Sequence, residues 1–251
     1  MKLNILNLHF LLILLLIYFI TSCTKNETEI LDPASFGYDY YPLAIGKSWT
    51  YQTDSIFYSL KGTVEMDSTT SFIREEIVDT MRNSVNALVY RVDVFHAVDS
   101  SLGWELISSS FIEKNQYQLN KVENGLTFIR LVFPVQLNKS WNGNSMISSK
   151  TSIEVNGEIL EPFDNWYYAY KYLNKSETLA GKIYASVCKV VEVDEENIIA
   201  KRYSETKYAK EVGMIFRELW LLDTQNTNTN IPFRNRAEKG FILRQTLVNH
   251  N

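Results

Sequence analysis

The chain has 251 residues, with 25 Lys and Arg against 29 Asp and Glu, 10 Gly, 5 Pro and 2 Cys. Apolar residues at 45% and aromatics at 13% are enough to fill a core, which excludes wholesale disorder, and the scarcity of Gly and Pro excludes collagen-like and low-complexity architectures. A net charge of -4 leaves no basic footprint for nucleic acid, and two cysteines build neither a disulfide scaffold nor a zinc ribbon.

Lys2 carries the only positive charge of residues 1–22, and Phe10 to Ile20 is an unbroken apolar run. As a helix that run reaches about 16 Å, roughly half the hydrocarbon core of a bilayer. A positive start, a short apolar centre and small residues after it predict an export signal over 1–22. The signal ends in Ile20-Thr21-Ser22-Cys23, which resembles the lipobox of bacterial lipoproteins. The resemblance implies cleavage after Ser22, lipidation of Cys23, and a membrane held through the acylated N-terminus. Two or more acyl chains anchor stably where one does not. The expected location is the bacterial cell envelope, at the outer membrane, facing either the periplasm or the surface. Residues 23–40 are polar and acidic without alternation and read as a flexible tether.

From residue 41 onward the dominant period is two, which predicts a single β domain over 41–251. Tyr90, Val92, Val94, His96 and Val98 share one face of a strand. Ser71 to Met81 fits either a helix or a strand, and the strand is favoured because neighbouring segments leave a sheet needing partners. Leu126, Phe128, Arg130 and Val132 alternate next. Trp166, Tyr168, Tyr170 and Tyr172 line one face of the following candidate, and Val187, Val191 and Val193 continue the series. Met214, Phe216 and Trp220 lie opposite Ile215, Leu219 and Leu221, and Phe241, Leu243 and Leu247 complete the pattern. These residue types suit a pleated, half-buried surface. Polar breaks such as Glu123-Asn124-Gly125, Asn142-Gly143-Asn144 and Asn156-Gly157 suit reversals. Asp223 to Asn230 reads as a solvated polar loop.

One phrase occurs twice. Tyr41-Pro42-Leu43-Ala44-Ile45-Gly46-Lys47-Ser48-Trp49 matches Phe133-Pro134-Val135-Gln136-Leu137-Asn138-Lys139-Ser140-Trp141. Gly46 and Asn138 each tolerate the positive φ of a tight turn, and each Trp enters the next strand with a large surface to bury. The repeat predicts two related halves, about 41–132 and 133–251, closing on one core. These phrases, with Ala180-Gly181, Tyr184, Cys188-Lys189-Val190, Tyr208-Ala209-Lys210-Glu211-Val212-Gly213 and Gly240-Phe241-Ile242-Leu243, resemble a family of bacterial envelope lipoproteins. The resemblance implies a strongly curved antiparallel sheet or half-barrel, all-β, with no established biochemical activity.

The chemistry-bearing residues are sparse. No H-E-x-x-H, G-x-S-x-G, P-loop or G-x-G-x-x-G occurs. His96 reads as a core or rim histidine without a nameable partner, and Cys188 as a small buried hydrophobe. Glu113, Glu158, Glu161, Asp164 and Glu192 are the carboxylates from which a glycosidase pair would have to come. No catalytic residue, metal ligand or cofactor is therefore expected. A binding or assembly role is expected, with a protein, glycan or lipid as ligand. One alternative is an apolar-ligand carrier, in which Trp166, Tyr168, Tyr170 and Tyr172, with Trp49, Trp104, Trp141 and Trp220, line a cavity for a lipid or a sugar; the other reading of these rings is simple core filling. A second is a hydrolase with an unrecognised site.

Overall fold

Where Val, Ile, Tyr and Thr alternate with polar residues, the backbone extends, and Asn and Gly at positive φ turn it back. The computed structural model describes residues 33–60, 64–155, 157–164 and 166–251. In chain order the strands are β1 (Ser48–Leu60), β2 (Val64–Arg82), β3 (Leu88–Ala97), β4 (Glu105–Lys114), β5 (Gln118–Glu123), β6 (Leu126–Val132), β7 (Ser140–Trp141), β8 (Ile153–Val155), β9 (Glu158–Leu160), β10 (Tyr168–Leu179), β11 (Lys182–Glu196), β12 (Ala200–Ala209), β13 (Gly213–Asp223) and β14 (Lys239–His250). A one-turn helix, α1 (Phe233–Arg236), interrupts the loop before β14. Ser71 to Met81 lies within β2, so the strand alternative is the one adopted.

Twelve strands form one antiparallel sheet in the order β6-β5-β4-β3-β2-β1-β14-β13-β12-β11-β10-β7, nearly closed into a barrel, and β8 and β9 form a separate hairpin. The order shows two halves. β1 to β6 run consecutively through one, and β7 with β10 to β14 run consecutively through the other. They join where β1 pairs with β14.

The repeated phrase builds the same joint in each half. Gly46 has φ 87° and Asn138 has φ 62°. The Gly46 amide donates to Ile77 O at 2.8 Å and the Ile77 amide to Lys47 O at 2.8 Å. In the second half the Asn138 amide donates to Tyr170 O at 3.0 Å and the Tyr170 amide to Lys139 O at 3.2 Å. Each phrase thus clasps the second strand of its own half. Each Trp then donates its indole N–H to a distant carbonyl: Trp49 to Val212 O at 2.5 Å, Trp141 to Ile129 O at 2.8 Å.

The halves part company after the tryptophans. β1 continues to Leu60, whereas β7 stops at Trp141 and the sheet's next strand, β10, begins only at Tyr168. The edge of β6 away from β5 therefore lacks a full-length neighbour, and a loop carbonyl and side chains complete the seam. The Ile129 amide donates to Gly143 O at 2.8 Å. The Tyr170 hydroxyl accepts from the Val132 amide at 3.1 Å and donates to Val132 O at 2.8 Å, in the manner of a missing backbone group.

Two expectations need correction. The tether read over 23–40 is ordered in its last part: Pro33–Phe36 and Tyr38–Tyr40 form 3-10 turns, the Tyr40 side chain is buried, and its hydroxyl donates to Asn174 Oδ1 at 2.9 Å. Aromatic residues there gain more by packing on the sheet than by staying solvated. The signal over 1–22, Ser22 as the cleavage site and Cys23 lie outside the described residues. The face shared by Tyr90, Val92, Val94, His96 and Val98 is not uniformly buried. Val92 is fully buried, but β3 ends at Ala97, so Val98 falls in the turn before β4 and is 72% exposed.

Candidate functional site

The inside of the barrel is the first place to look for a ligand, and it is occupied by charge. Lys121 and Glu123 lie on β5, Arg130 on β6, Glu75 on β2, Glu192 on β11 and Arg217 on β13. Strands so far apart in the sheet order meet across the interior. Lys121 Nζ lies 2.6 Å from Glu75 Oε1 and 3.1 Å from Glu123 Oε1. Glu123 Oε2 also takes Arg130 at 2.5 Å and Arg217 at 3.3 Å. Arg130 reaches Glu192 at 3.2 Å, and Glu192 accepts from Ser204 Oγ at 2.5 Å and Thr206 Oγ1 at 2.8 Å. Three cations and three carboxylates make the cluster neutral.

Bulges place two of its members. Pairing steps from Leu119↔Leu131 to Asn120↔Ile129, leaving Arg130 as the extra residue of β6. It steps again from Val191↔Glu205 to Val193↔Ser204, leaving Glu192 as the extra residue of β11. A bulge re-aims the side chain that alternation would send elsewhere. Burial alone would raise the Glu123 carboxyl, but Arg130, Lys121 and Arg217 hold it well below the usual carboxylate range. Burial opposes the charged form of Lys121, and Glu75, Tyr41 and Glu123 outweigh it and push its pKa up. Burial pushes the hydroxyls of Tyr41, Tyr51, Tyr168 and Tyr208 up. The space left between Tyr41, Lys121, Arg130, Tyr208 and Arg217 is about 10 Å³. That admits one water at most.

The aromatic face singled out from the sequence packs into this core. Trp166, Tyr168 and Tyr170 are buried, and Tyr172 is half-buried. Their polar atoms bond within the chain: Trp166 Nε1 to Pro162 O at 2.7 Å, the Tyr168 hydroxyl to Asn144 Oδ1 at 3.0 Å, Tyr170 to Val132, and Tyr172 to Glu177. Trp141 packs at a tilt between Tyr168 and Tyr170, at 5.7 and 4.9 Å between ring centres. Of the two readings left open for these rings, core filling describes their placement.

The remaining sequence candidates do not converge. His96 is half-buried near one end of β3. Cys188 is a free, fully buried thiol pushed up by burial, so it is an unreactive core residue. Glu113 accepts from Asn83, Glu158 pairs with Lys239 at 2.7 Å, and Glu192 is committed to the interior cluster. Glu161 and Asp164 are exposed residues between β9 and β10. Among the described residues no group of three or more His, Cys, Asp or Glu is placed to hold a metal. In the loop after β13, Arg236 donates to Asn226 O at 2.8 Å and to Ile198 O in the β11–β12 turn at 2.5 Å, so its guanidinium ties the loop to that turn.

Sequence reasoning missed an outer cleft of about 710 Å³ between β11–β13 and α1. Tyr203 and Trp220 meet edge to face at 6.3 Å, and Asp194, Glu196, Glu218, Lys201 and Arg234 stand around them. Trp220 Nε1 donates to Glu218 Oε1 at 3.1 Å, and the Tyr203 hydroxyl donates to Glu205. Lys201 is held by Asp194 at 3.2 Å and Glu196 at 3.3 Å. Half-exposed rings edged by both charges, at a volume ordinary for ligand sites, can take up a mixed polar and apolar group. The signal available in the sequence was Tyr203 and Trp220 facing each other across a strand pair, but only the fold reveals that register.

No protein-family model matches the sequence, and no curated protein matches it. Among solved structures, the chain is similar to a protein of Bacteroides fragilis NCTC 9343 described as exported and as having a YmcC-like fold. That alignment has 9% identity and a TM-score of 0.36, covering 86% of this chain and 99% of that one. It is also similar to a protein of Parabacteroides distasonis ATCC 8503 described as a lipoprotein, at 12% identity and a TM-score of 0.32, with 86% and 99% covered. Both likenesses are too loose to transfer a fold or a function.

Proposed function

We propose that the chain is a lipid-anchored protein of the bacterial envelope, attached at the outer membrane through Cys23, which works by binding on its outer surface and carries out no catalytic step. The observation that carries the binding reading is the neutral ion cluster set among the packed aromatic and aliphatic side chains of the core. An acyl chain needs a dry, continuous apolar space, and Glu75, Lys121, Glu123, Arg130, Glu192 and Arg217 stand where it would run. A ligand must then be met from outside, and the Tyr203–Trp220 cleft is the largest opening described above. The anchor rests on Ile20-Thr21-Ser22-Cys23 following the apolar run.

Two experiments test this reading. In the native host, Cys23→Ala abolishes metabolic acyl labelling and moves the protein out of the membrane fraction; retained labelling overturns the anchor. Native mass spectrometry of the detergent-solubilised full chain, beside Trp220→Ala, tests the cleft. A bound species that survives Trp220→Ala unchanged moves the site elsewhere, and a lipid extracted from folded protein revives the carrier reading.

A further inference from the structure

The second half departs from the first in residues 142–167, and a separate pocket of about 250 Å³ lies in that departure. Exposed side chains of Asn142, Ser145, Ser149, Asp164 and Tyr167 surround it. Asn144 also lines it and is only 3% exposed. Its Oδ1 accepts from the Tyr168 hydroxyl at 3.0 Å, while its Nδ2 is buried with no partner among the described residues. The segment is seated firmly, since a Cβ on Gly143 would stand 2.4 Å from the Tyr168 ring. The amide is thus fixed by Tyr168, and an amide fixed in burial with half of its bonding unmet calls for an outside partner.

The chemistry of that partner follows from the lining. A cation needs acceptors, and the unpartnered atom of the Asn144 amide is its Nδ2 donor. An anion would face the Asp164 carboxylate. A hydroxyl both donates and accepts, so it satisfies the free end of the Asn144 amide whichever way its oxygen and nitrogen are assigned. Serine hydroxyls, amides and a carboxylate beside the 67% exposed ring of Tyr167 suit a ligand with hydroxyls on its edge and C–H bonds on its face, which pack on the negative face of an aromatic ring.

We propose that this pocket binds a neutral saccharide unit, with Asn144 hydrogen-bonding a ring hydroxyl and Tyr167 packing on the sugar face. This names a ligand class for the surface-binding reading and is independent of the lipid anchor. The test is saturation-transfer NMR on the detergent-solubilised full chain with glucose, galactose, mannose and N-acetylglucosamine at millimolar concentration. At least one sugar should receive saturation at its ring protons. Tyr167→Ala and Asn144→Ala should each weaken its binding about tenfold, the cost of one lost hydrogen bond or ring contact. Should Asn144→Ala fail to fold, Tyr167→Ala decides alone, because an exposed ring has no part in the core. Silence for all four sugars overturns the saccharide site and leaves the Trp220 cleft, with its own variant, standing. Binding that stays within twofold in the folded variants overturns it equally.

Discussion

Replacing Glu123 with Gln keeps the shape of the side chain and removes the charge that three cations share. Lys121 retains Glu75 at 2.6 Å and Arg130 retains Glu192 at 3.2 Å, but Arg217 loses the carboxylate it touches at 3.3 Å. The cluster passes from neutral to one net positive charge. Removing one partner of a buried pair costs about 3–5 kcal/mol. Glu123 is 24% exposed at its side chain, so water screens part of the loss and the lower end, about 3 kcal/mol, is expected. Urea unfolding followed by tryptophan fluorescence measures this, because urea leaves the ion pairs unscreened. The double variant Glu123→Gln, Arg217→Met restores neutrality and should recover part of the loss. A cost below about 1 kcal/mol, the range of exposed ion pairs, would refute the view that this cluster is a buried, mutually dependent unit.

The same carboxylate governs acid stability. Its folded pKa is depressed, so its contribution is fully present above the ordinary carboxylate range and is lost as pH falls toward the folded value. Glu123→Gln should therefore flatten the acid limb of a stability-versus-pH curve, and an unchanged limb contradicts the assignment. Tyr170→Phe removes both bonds to Val132 across the seam and should cost about 1–3 kcal/mol, with faster hydrogen exchange at the Val132 amide. Gly46→Ala meets no atom within 4 Å, so its cost is the backbone one alone, about 1–2 kcal/mol for a left-handed alanine at φ 87°, read by thermal unfolding.

What the sequence made legible was whatever alternation and turn chemistry control. Strands such as β3, β6, β10 and β13, the all-β class and the positive-φ joints at Gly46 and Asn138 follow from local rules that the structure obeys. The ion cluster was hidden because Arg130 and Glu192 reach it from bulges, and a bulge leaves the residue types unchanged while altering where they point. Asn142-Gly143-Asn144 read as a hairpin break. Its place over Tyr168 depends on the second half abandoning a strand that the first half keeps. That divergence is a fact of tertiary structure, with no periodic trace in the residues.

The pairing of β1 with β14 has a consequence for when the protein can fold. Trp49 faces His250, about 200 residues downstream, and this pair lies at the middle of the sheet. Each six-stranded half can zip from local hairpins, but the two cannot join until β14 exists, and contacts of such sequence separation form late. A chain emerging N-terminus first therefore stays unclosed through most of its synthesis. For a chain exported as we propose, the last strand acts as a timer.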